Sequence, residues 1–256
     1  MGPASHPGRE AVDFVPLVRA LTAPVGTRPT LHEIVVQATR LVPARWAAAL
    51  VADRITATPA TLAATTDDSV TEVIARIAGA AGTSPGWQAF DDGIVCHVPD
   101  LRAEQGFGTY PGEMVAQTPV RAVLSVPLTG RTGIVGVLTL YADQPHAFGP
   151  SAVERAVLLG THAGIALATA DANDRAANLE RALLSSRTIG AAVGVLVERH
   201  RLTEALAFDV LRHSSQLTNR KLADVAADLV ASGKLAQEEQ ALARSVGESR
   251  PQPRSA

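Results

Sequence analysis

A short run, Gln216-Leu217-Thr218-Asn219-Arg220-Lys221, gathers the side chains of this chain best suited to grip a polyanion. Lysine and arginine pair with phosphate oxygens, and Asn, Gln and Arg also hydrogen-bond to base edges. Just upstream, Asp209, Arg212, His213 and Gln216 recur at helical spacing, so a helix presents them on one side. No residue set here has the types needed to make or break a bond. Two readings of the run stay open. In one, Thr218 or Asn219 caps a following helix whose free N–H groups, with Arg220 and Lys221, face a phosphate backbone. In the other, Asn219 is only a cap and the face is only solvated, which the mixed charge brought by Asp209 favours.

Two helices must position this run. The first spans about Thr203 to Leu217, with Thr203 placed to cap an acidic first turn at Glu204. Its apolar side is Leu206, Val210 and Leu217, widened by Ala207, Leu211 and Phe208. The second spans about Arg220 to Ala231, with Leu222, Val225, Ala226, Leu229 and Val230 as its buried stripe and Gly233 as its stop.

The order Ile189, Ala192, Gly194, Leu196, Ala207-Phe208, Leu211-Arg212, Ser215, Asn219, Lys221-Leu222 and Asp224-Val225-Ala226 resembles the ANTAR domain. That domain is the RNA-binding output module of many bacterial transcription antitermination regulators, here of the actinobacterial type. The resemblance implies a three-helix domain over residues 187–235, with 236–256 as a tail. It implies binding to paired hexaloop stem-loops in nascent RNA, in the context of an elongating RNA polymerase, so that a terminator cannot form. The side chains it places at the RNA are Arg187, Arg212, Ser215, Gln216, Asn219, Arg220 and Lys221. Many members carry a lysine just before the glycine of the first helix, where this chain has Val193. The phosphate contacts therefore fall to Arg187, Arg212, Arg220 and Lys221.

Charge agrees with a modest nucleic-acid face. Residues 179–235 hold eight Lys/Arg against six Asp/Glu, while residues 1–178 hold twelve against sixteen. The module is the basic end of an acidic chain. So small a surplus suits a short structured RNA loop, read by shape and splayed bases, better than non-specific duplex DNA. A helix-turn-helix DNA regulator is the first alternative. The helix after Lys221, however, presents Ala223, Asp224, Ala227 and Asp228 where phosphates would approach. A dimerising adaptor that contacts only protein is the second.

The chain has 256 residues, nearly half apolar, enough for a larger core upstream of this module. Leu31 to Val42 reads as a helix, Trp46 to Ala52 as a strand, and Thr56 to Thr65 as a strand beside it. Ser69 to Ala81 is an amphipathic helix with Val70, Val73, Ile74 and Ile77 inward. Strands follow at Ile94 to Val98, Ala122 to Leu128 and Gly133 to Tyr141, the last two joined as a hairpin through Thr129-Gly130-Arg131-Thr132-Gly133. The final strand is apolar on both faces, so it should be central. A helix from Pro150 runs past Leu167, and the whole reads as an α+β layer. Val126-Pro127-Leu128, Gly133-Ile134-Val135-Gly136-Val137-Leu138, Pro145 and Phe148 resemble a GAF domain over residues 28–168. That resemblance implies an antiparallel sheet flanked by helices that senses a small molecule of unidentified class. Trp87, Phe90, Phe107 and Tyr110 sit where such domains close a pocket, and either line it or fill the core.

Cys96-His97 reads as part of a strand rather than as a chromophore attachment site, and the histidines show no metal-ligand spacing, so no cofactor or metal is expected. Nucleophile-elbow, phosphate-loop and zinc-helix motifs are absent, and no enzyme is expected. No apolar run is long enough to cross a membrane, and a cytoplasmic protein is the expectation. Residues 1–27 read as a flexible segment, although Glu10 to Leu21 has a helical pattern within it. Residues 169–186 form a coiled-coil-like signalling helix. Its seam of Ile165, Ala168, Ala172, Ala176, Leu179, Leu183, Ser186, Gly190 and Val193 predicts a parallel homodimer.

Overall fold

The computed structural model describes residues 14–52 and 59–248. It holds nine helices and five strands among them: α1 Phe14–Thr22, α2 Thr27–Leu41, β1 Trp46–Ala52, β2 Pro59–Thr65, α3 Asp68–Ala81, α4 Pro85–Asp92, β3 Cys96–Val98, α5 Tyr110–Gln117, β4 Ala122–Gly130, β5 Gly133–Ala142, α6 Pro150–His200, α7 Glu204–Thr218, α8 Leu222–Ser232 and α9 Glu238–Glu248. The chain divides into two compact units, residues 1–174 and 175–256.

The first unit is built on a five-stranded antiparallel sheet in the order β2-β1-β5-β4-β3. β5 is central, as its two-sided apolar sequence requires. Arg131 and Thr132 form the two-residue turn between the paired ends Gly130 and Gly133. Alternation along the strands sorts the side chains. Ala47, Ala49, Leu124, Val126, Leu138 and Leu140 face one side, where α2 and the first half of α6 supply Ile34, Val35, Ala38, Ala156, Leu159 and Leu167. Trp46, Ala48, Val123 and Tyr141 face the other, against Ile74 and Ile77 of α3 and Met114 of α5. Val70 and Val73 lie partly buried at the edge of that second core.

α6 lies very close to β4. A Cβ on Gly164 would fall on the backbone of Thr129, and one on Gly160 would crowd Val126 and Pro127. Glycine is needed at 164 because backbone meets backbone there, while at 160 it makes room for the Val126 side chain. The N-terminus of α2 is fixed to the same helix, with the Thr27 amide and hydroxyl each donating to Asp174 at 2.8 Å.

The segment expected to be flexible over residues 1–27 is ordered from Phe14: α1 buries Leu17 and Leu21 in the first core. The helical pattern in Glu10 to Leu21, not the Pro/Gly content around it, decides its state. Residues 1–13, and Thr56 to Thr58 of the expected second strand, lie outside the described residues.

In the second unit the end of α6, α7 and α8 pack around Ala192, Leu196, Ala207, Val210, Leu211, Val225, Ala226 and Leu229. The stretch expected as a tail corrects this three-helix picture, because α9 closes the bundle as a fourth helix. Ala241 is buried in the core, the Ser214 hydroxyl donates to the Ala236 carbonyl at 2.6 Å, and His213 Nδ1 sits 2.9 Å from Ser245 Oγ. Arg199 and His200, at the end of α6, both reach Glu238 at the start of α9, His200 Nε2 lying 2.5 Å from Oε1. Residues 249–256 lie outside the described residues.

Two outcomes follow from this packing. Gly164→Ala should lower the stability of the first unit by about 1–3 kcal/mol, as overpacking against backbone does, measurable as a shifted urea midpoint. Glu238 gives a pH dependence. Burial alone would raise its pKa, but hydrogen bonds from His200 and Arg199 outweigh that and hold it below the ordinary 4.5. A depressed carboxyl contributes stability that is complete above its unfolded value and is lost as pH falls through the folded one. Protection of the α9 amides, taken relative to their intrinsic exchange rates, should therefore be high at neutral pH and fall below 4.5. Glu238→Gln should show lower protection at neutral pH and lose most of that pH dependence.

Candidate nucleic-acid interface and sensor cavity

The junction of α7 and α8 sets the geometry of the polyanion-gripping run. Thr203 caps α7 as its position predicts, accepting the Leu206 amide at 3.3 Å. Asn219 does not cap α8. It ends α7 in the left-handed conformation, φ 51° and ψ 39°, which Asn tolerates better than most residues. The Asn219 and Arg220 amides then donate back to the Gln216 and Ser215 carbonyls at 3.3 and 3.1 Å. Thr218 likewise turns inward, its hydroxyl donating to the Ser214 carbonyl at 2.7 Å. The α8 N-cap is Lys221, whose side chain makes no capping bond, and Asp224 is the acidic residue of the first turn.

The seven expected RNA-contacting residues separate into groups. Ser215, Gln216, Asn219, Arg220 and Lys221 are brought together around this turn, and the Ser215 hydroxyl donates to the Arg220 carbonyl at 2.6 Å. Arg220 bends onto Asp228 of α8 at 2.6 Å, and Arg212 pairs with Asp209 one turn away at 3.0 Å. Lys221 is exposed and has no acidic partner among the described residues. Arg187 is also exposed but sits on α6, about two and a half turns before Leu196. Nothing described brings it to the junction.

Three assignments on these helices need correction. His213, placed on the polar face by its spacing, is buried against α9, because that helix covers its side of α7. Phe208 and Val230, assigned to the core by the apolar stripes, are 40% and 47% exposed, since α9 and α6 take the neighbouring sides. Val193 is half-buried beside the second unit's core, an apolar role in place of the lysine of many ANTAR domains. Beyond Arg220 a groove of about 350 Å³ opens between α8 and the following turn, with Val225 and Leu235 in its floor and Arg220, Asp228, Ser232 and Lys234 at its rim. Lys234 and Ser232 are functional candidates that sequence reasoning passes over, because they lie at and past the helix stop at Gly233.

The first unit contains a cavity of about 170 Å³ on the α3 side of the sheet. Of the four expected pocket residues, Trp87 and Tyr110 line it. Phe90 packs with Ala89 and Val137 in a separate small core, and Phe107 buttresses Tyr110 edge-to-face at 6.5 Å. Leu50, Ile74, Thr139 and Tyr141 complete the walls, with the Ser84 hydroxyl at one end. Thr139 and Tyr141 were hidden in a strand that reads as apolar throughout; period-two alternation is the signal that puts both on the cavity face. Ser84 is fixed as the α4 N-cap, accepting the Trp87 amide at 3.2 Å.

Cys96 lies in β3, as expected, with its Sγ 3.4 Å from Gln88 Oε1. Burial pushes its thiol up to about 11, so it is protonated and a poor nucleophile at neutral pH. His97 Nε2 is buried without a hydrogen-bond partner, and desolvation lowers its pKa. Among the described residues no group of three or more His, Cys, Asp or Glu could hold a metal ion, and no helix is long and apolar enough to cross a membrane.

Comparison with known proteins places both units. The chain is similar in structure to the GAF domain of an Acinetobacter phosphoenolpyruvate-protein phosphotransferase, at 18% identity over 60% of this chain and 90% of that one, with a TM-score of 0.45. It is similar to the corresponding GAF domain from Coxiella burnetii, at 15% identity over 65% and 99% of the two chains, TM-score 0.47. It is also similar to free methionine-R-sulfoxide reductase from Neisseria meningitidis, at 13% identity over 60% and 86%, TM-score 0.47. No curated protein matches the chain. The ANTAR domain model matches residues 177–230 and the GAF domain model residues 29–168. The chain belongs to the GAF domain family and continues from its GAF domain into an ANTAR domain, the order of a GAF–ANTAR regulator.

Proposed function

We propose that this protein is an RNA-binding transcription antiterminator, a binding protein rather than a catalyst, whose ANTAR unit grips hexaloop stem-loops in nascent RNA under control of the GAF unit. The observation that carries the reading is the α7–α8 turn, which lies within the ANTAR match. An uncapped helix start, an unpaired lysine and the amides of Gln216 and Asn219 converge there, beside a groove large enough for one splayed base. The acidic residues Asp224 and Asp228 on the exposed side of α8 disfavour a helix laid in a DNA groove. The cytoplasm, where nascent transcripts and RNA polymerase are found in bacteria, is the compartment this role requires.

The same reading includes a homodimer. On α6, Leu158, Ile165, Ala172, Leu179 and Ser186 recur at intervals of seven, and Ile165, Leu179 and Leu183 are 54%, 63% and 58% exposed. A sequence of large apolar residues held in water at heptad spacing is what a coiled-coil partner covers. Small residues between them make a shallow seam whose register a ligand in the GAF unit can bias.

Nucleic-acid titrations and a crosslinking experiment test this. Titration with a two-hexaloop RNA, a scrambled-loop RNA and a DNA duplex at fixed salt should show loop-dependent binding to the first alone. Lys221→Ala should weaken it by about tenfold, the worth of a charge-assisted phosphate contact. Arg212→Ala should weaken it less, because Asp209 already neutralises that arginine. Asn219→Gly keeps the left-handed turn while removing the amide, so a loss there reports RNA contact and not misfolding. Equal affinity for loop and scrambled RNA would remove the antiterminator reading. For the dimer, Ser186→Cys protomers should crosslink under mild oxidation, and the absence of any covalent dimer would overturn it.

A further inference from the structure

The GAF-unit cavity constrains its ligand by size, charge and a single polar group. At about 170 Å³ it is well below the roughly 300–1,000 Å³ of pockets for drug-sized molecules. It is close to the roughly 150 Å³ that suffices for benzene in an engineered apolar cavity. One six-membered ring with one substituent fills it; a nucleotide or a tetrapyrrole does not fit. None of the described residues that line it is Lys, Arg, His, Asp or Glu. An ion inside would therefore be desolvated without a counter-charge. Its walls are aromatic and aliphatic, from Trp87, Tyr110, Tyr141, Leu50 and Ile74.

The polar group is the Tyr110 hydroxyl. Tyr110 is 1% exposed, and its phenol is pushed well above 10 by burial, with no hydrogen bond offsetting that. The other hydroxyls have work already: Ser84 caps α4, Thr71 donates to the Asp67 carbonyl, Thr139 pairs with Ser125 across the strands at 3.1 Å, and Tyr141 bonds to Thr139. The Tyr110 hydroxyl borders the cavity with no hydrogen bond to another described residue, so a ligand there can complete it. We propose that the cavity binds an uncharged single-ring aromatic molecule of the phenol class, whose one polar group pairs with the Tyr110 hydroxyl. This inference deepens the sensor half of the proposed function and rests on it only for its regulatory meaning.

The test uses the full-length protein with phenol, toluene and benzoate as probes, followed by Trp87 fluorescence and thermal melting. Phenol should bind and raise the melting temperature, toluene should bind about fivefold to tenfold more weakly, and benzoate should not bind. Tyr110→Phe keeps the ring and should erase the advantage of phenol over toluene while leaving toluene unchanged. Ala75→Phe, at the exposed rim of the cavity, should weaken both. Benzoate binding as well as phenol, an advantage that survives Tyr110→Phe, or no binding of either neutral probe would each overturn the inference. Titrating loop RNA with and without phenol separates the two ideas. Unchanged RNA affinity alongside Tyr110-dependent phenol binding refutes ligand gating and leaves the cavity assignment standing.

Discussion

The backbone approach of α6 to β4 is the constraint on which the first unit depends. Gly160 and Gly164 let the helix lie where any side chain would collide with Pro127 and Thr129, and Ala152, Ala156 and Ala163 continue the same small-residue side. Leu159 and Leu167 are buried in the core to either side of that contact, while Val157, Leu158 and Ile165 of the same helix stay exposed. The helix thus seats one side on its own sheet and leaves apolar residues on another, where the proposed dimer would use them.

The sheet divides its labour by strand period. In β5, Leu138 and Leu140 fill the core under α6, while Val137, Thr139 and Tyr141 face the opposite side. The second face is less completely filled, since α3 and α4 meet it through Ala75, Ala78 and Gly86. Gly86 keeps the approach close, a Cβ there lying 3.1 Å from Thr139 Oγ1. A cavity persists where the packing elements contribute small residues and the sheet contributes hydroxyls. Such a void would be a pure loss of dispersion contacts in a scaffold that never bound anything.

Much of this was readable in the chain. β1 at Trp46 to Ala52, the hairpin connection within Thr129 to Gly133, the central place of β5 and the capping role of Thr203 follow from alternation, turn chemistry and cap preference, all local signals. The misses have a common cause. Asn219, His213, Phe208 and residues 238–248 depend on what lies across from them, and no period reports that. α9 is polar enough to read as tail, yet Ala241 and Ser245 suffice to seat it on α7. Once it is seated, His213 becomes interior and the other sides of α7 are reassigned. Asn219 is legible as a helix terminator but not as the terminator of which helix, because Asn serves both an N-cap and a left-handed C-cap.

The electrostatics of the α7–α8 turn argue for recognition by shape. Arg212 and Arg220 are each held by a carboxylate on their own helices or the next, so a phosphate approaching either must displace Asp209 or Asp228 or share the cation with it. The net attraction of such pairs at the surface is small and screened by salt. What remains is the Lys221 charge, the start of α8, which Lys221 leaves without a side-chain cap and Asp224 partly offsets, and the fixed geometry of the Asn219 turn. Three such elements cannot hold a uniform duplex against physiological salt, where affinity is built from many phosphate contacts. They can hold an RNA loop whose own fold already presents phosphate and base edges at matching positions. Pairing the arginines to acids therefore lowers non-specific affinity more than specific affinity, and it makes two copies of the unit on two adjacent loops worth far more than one.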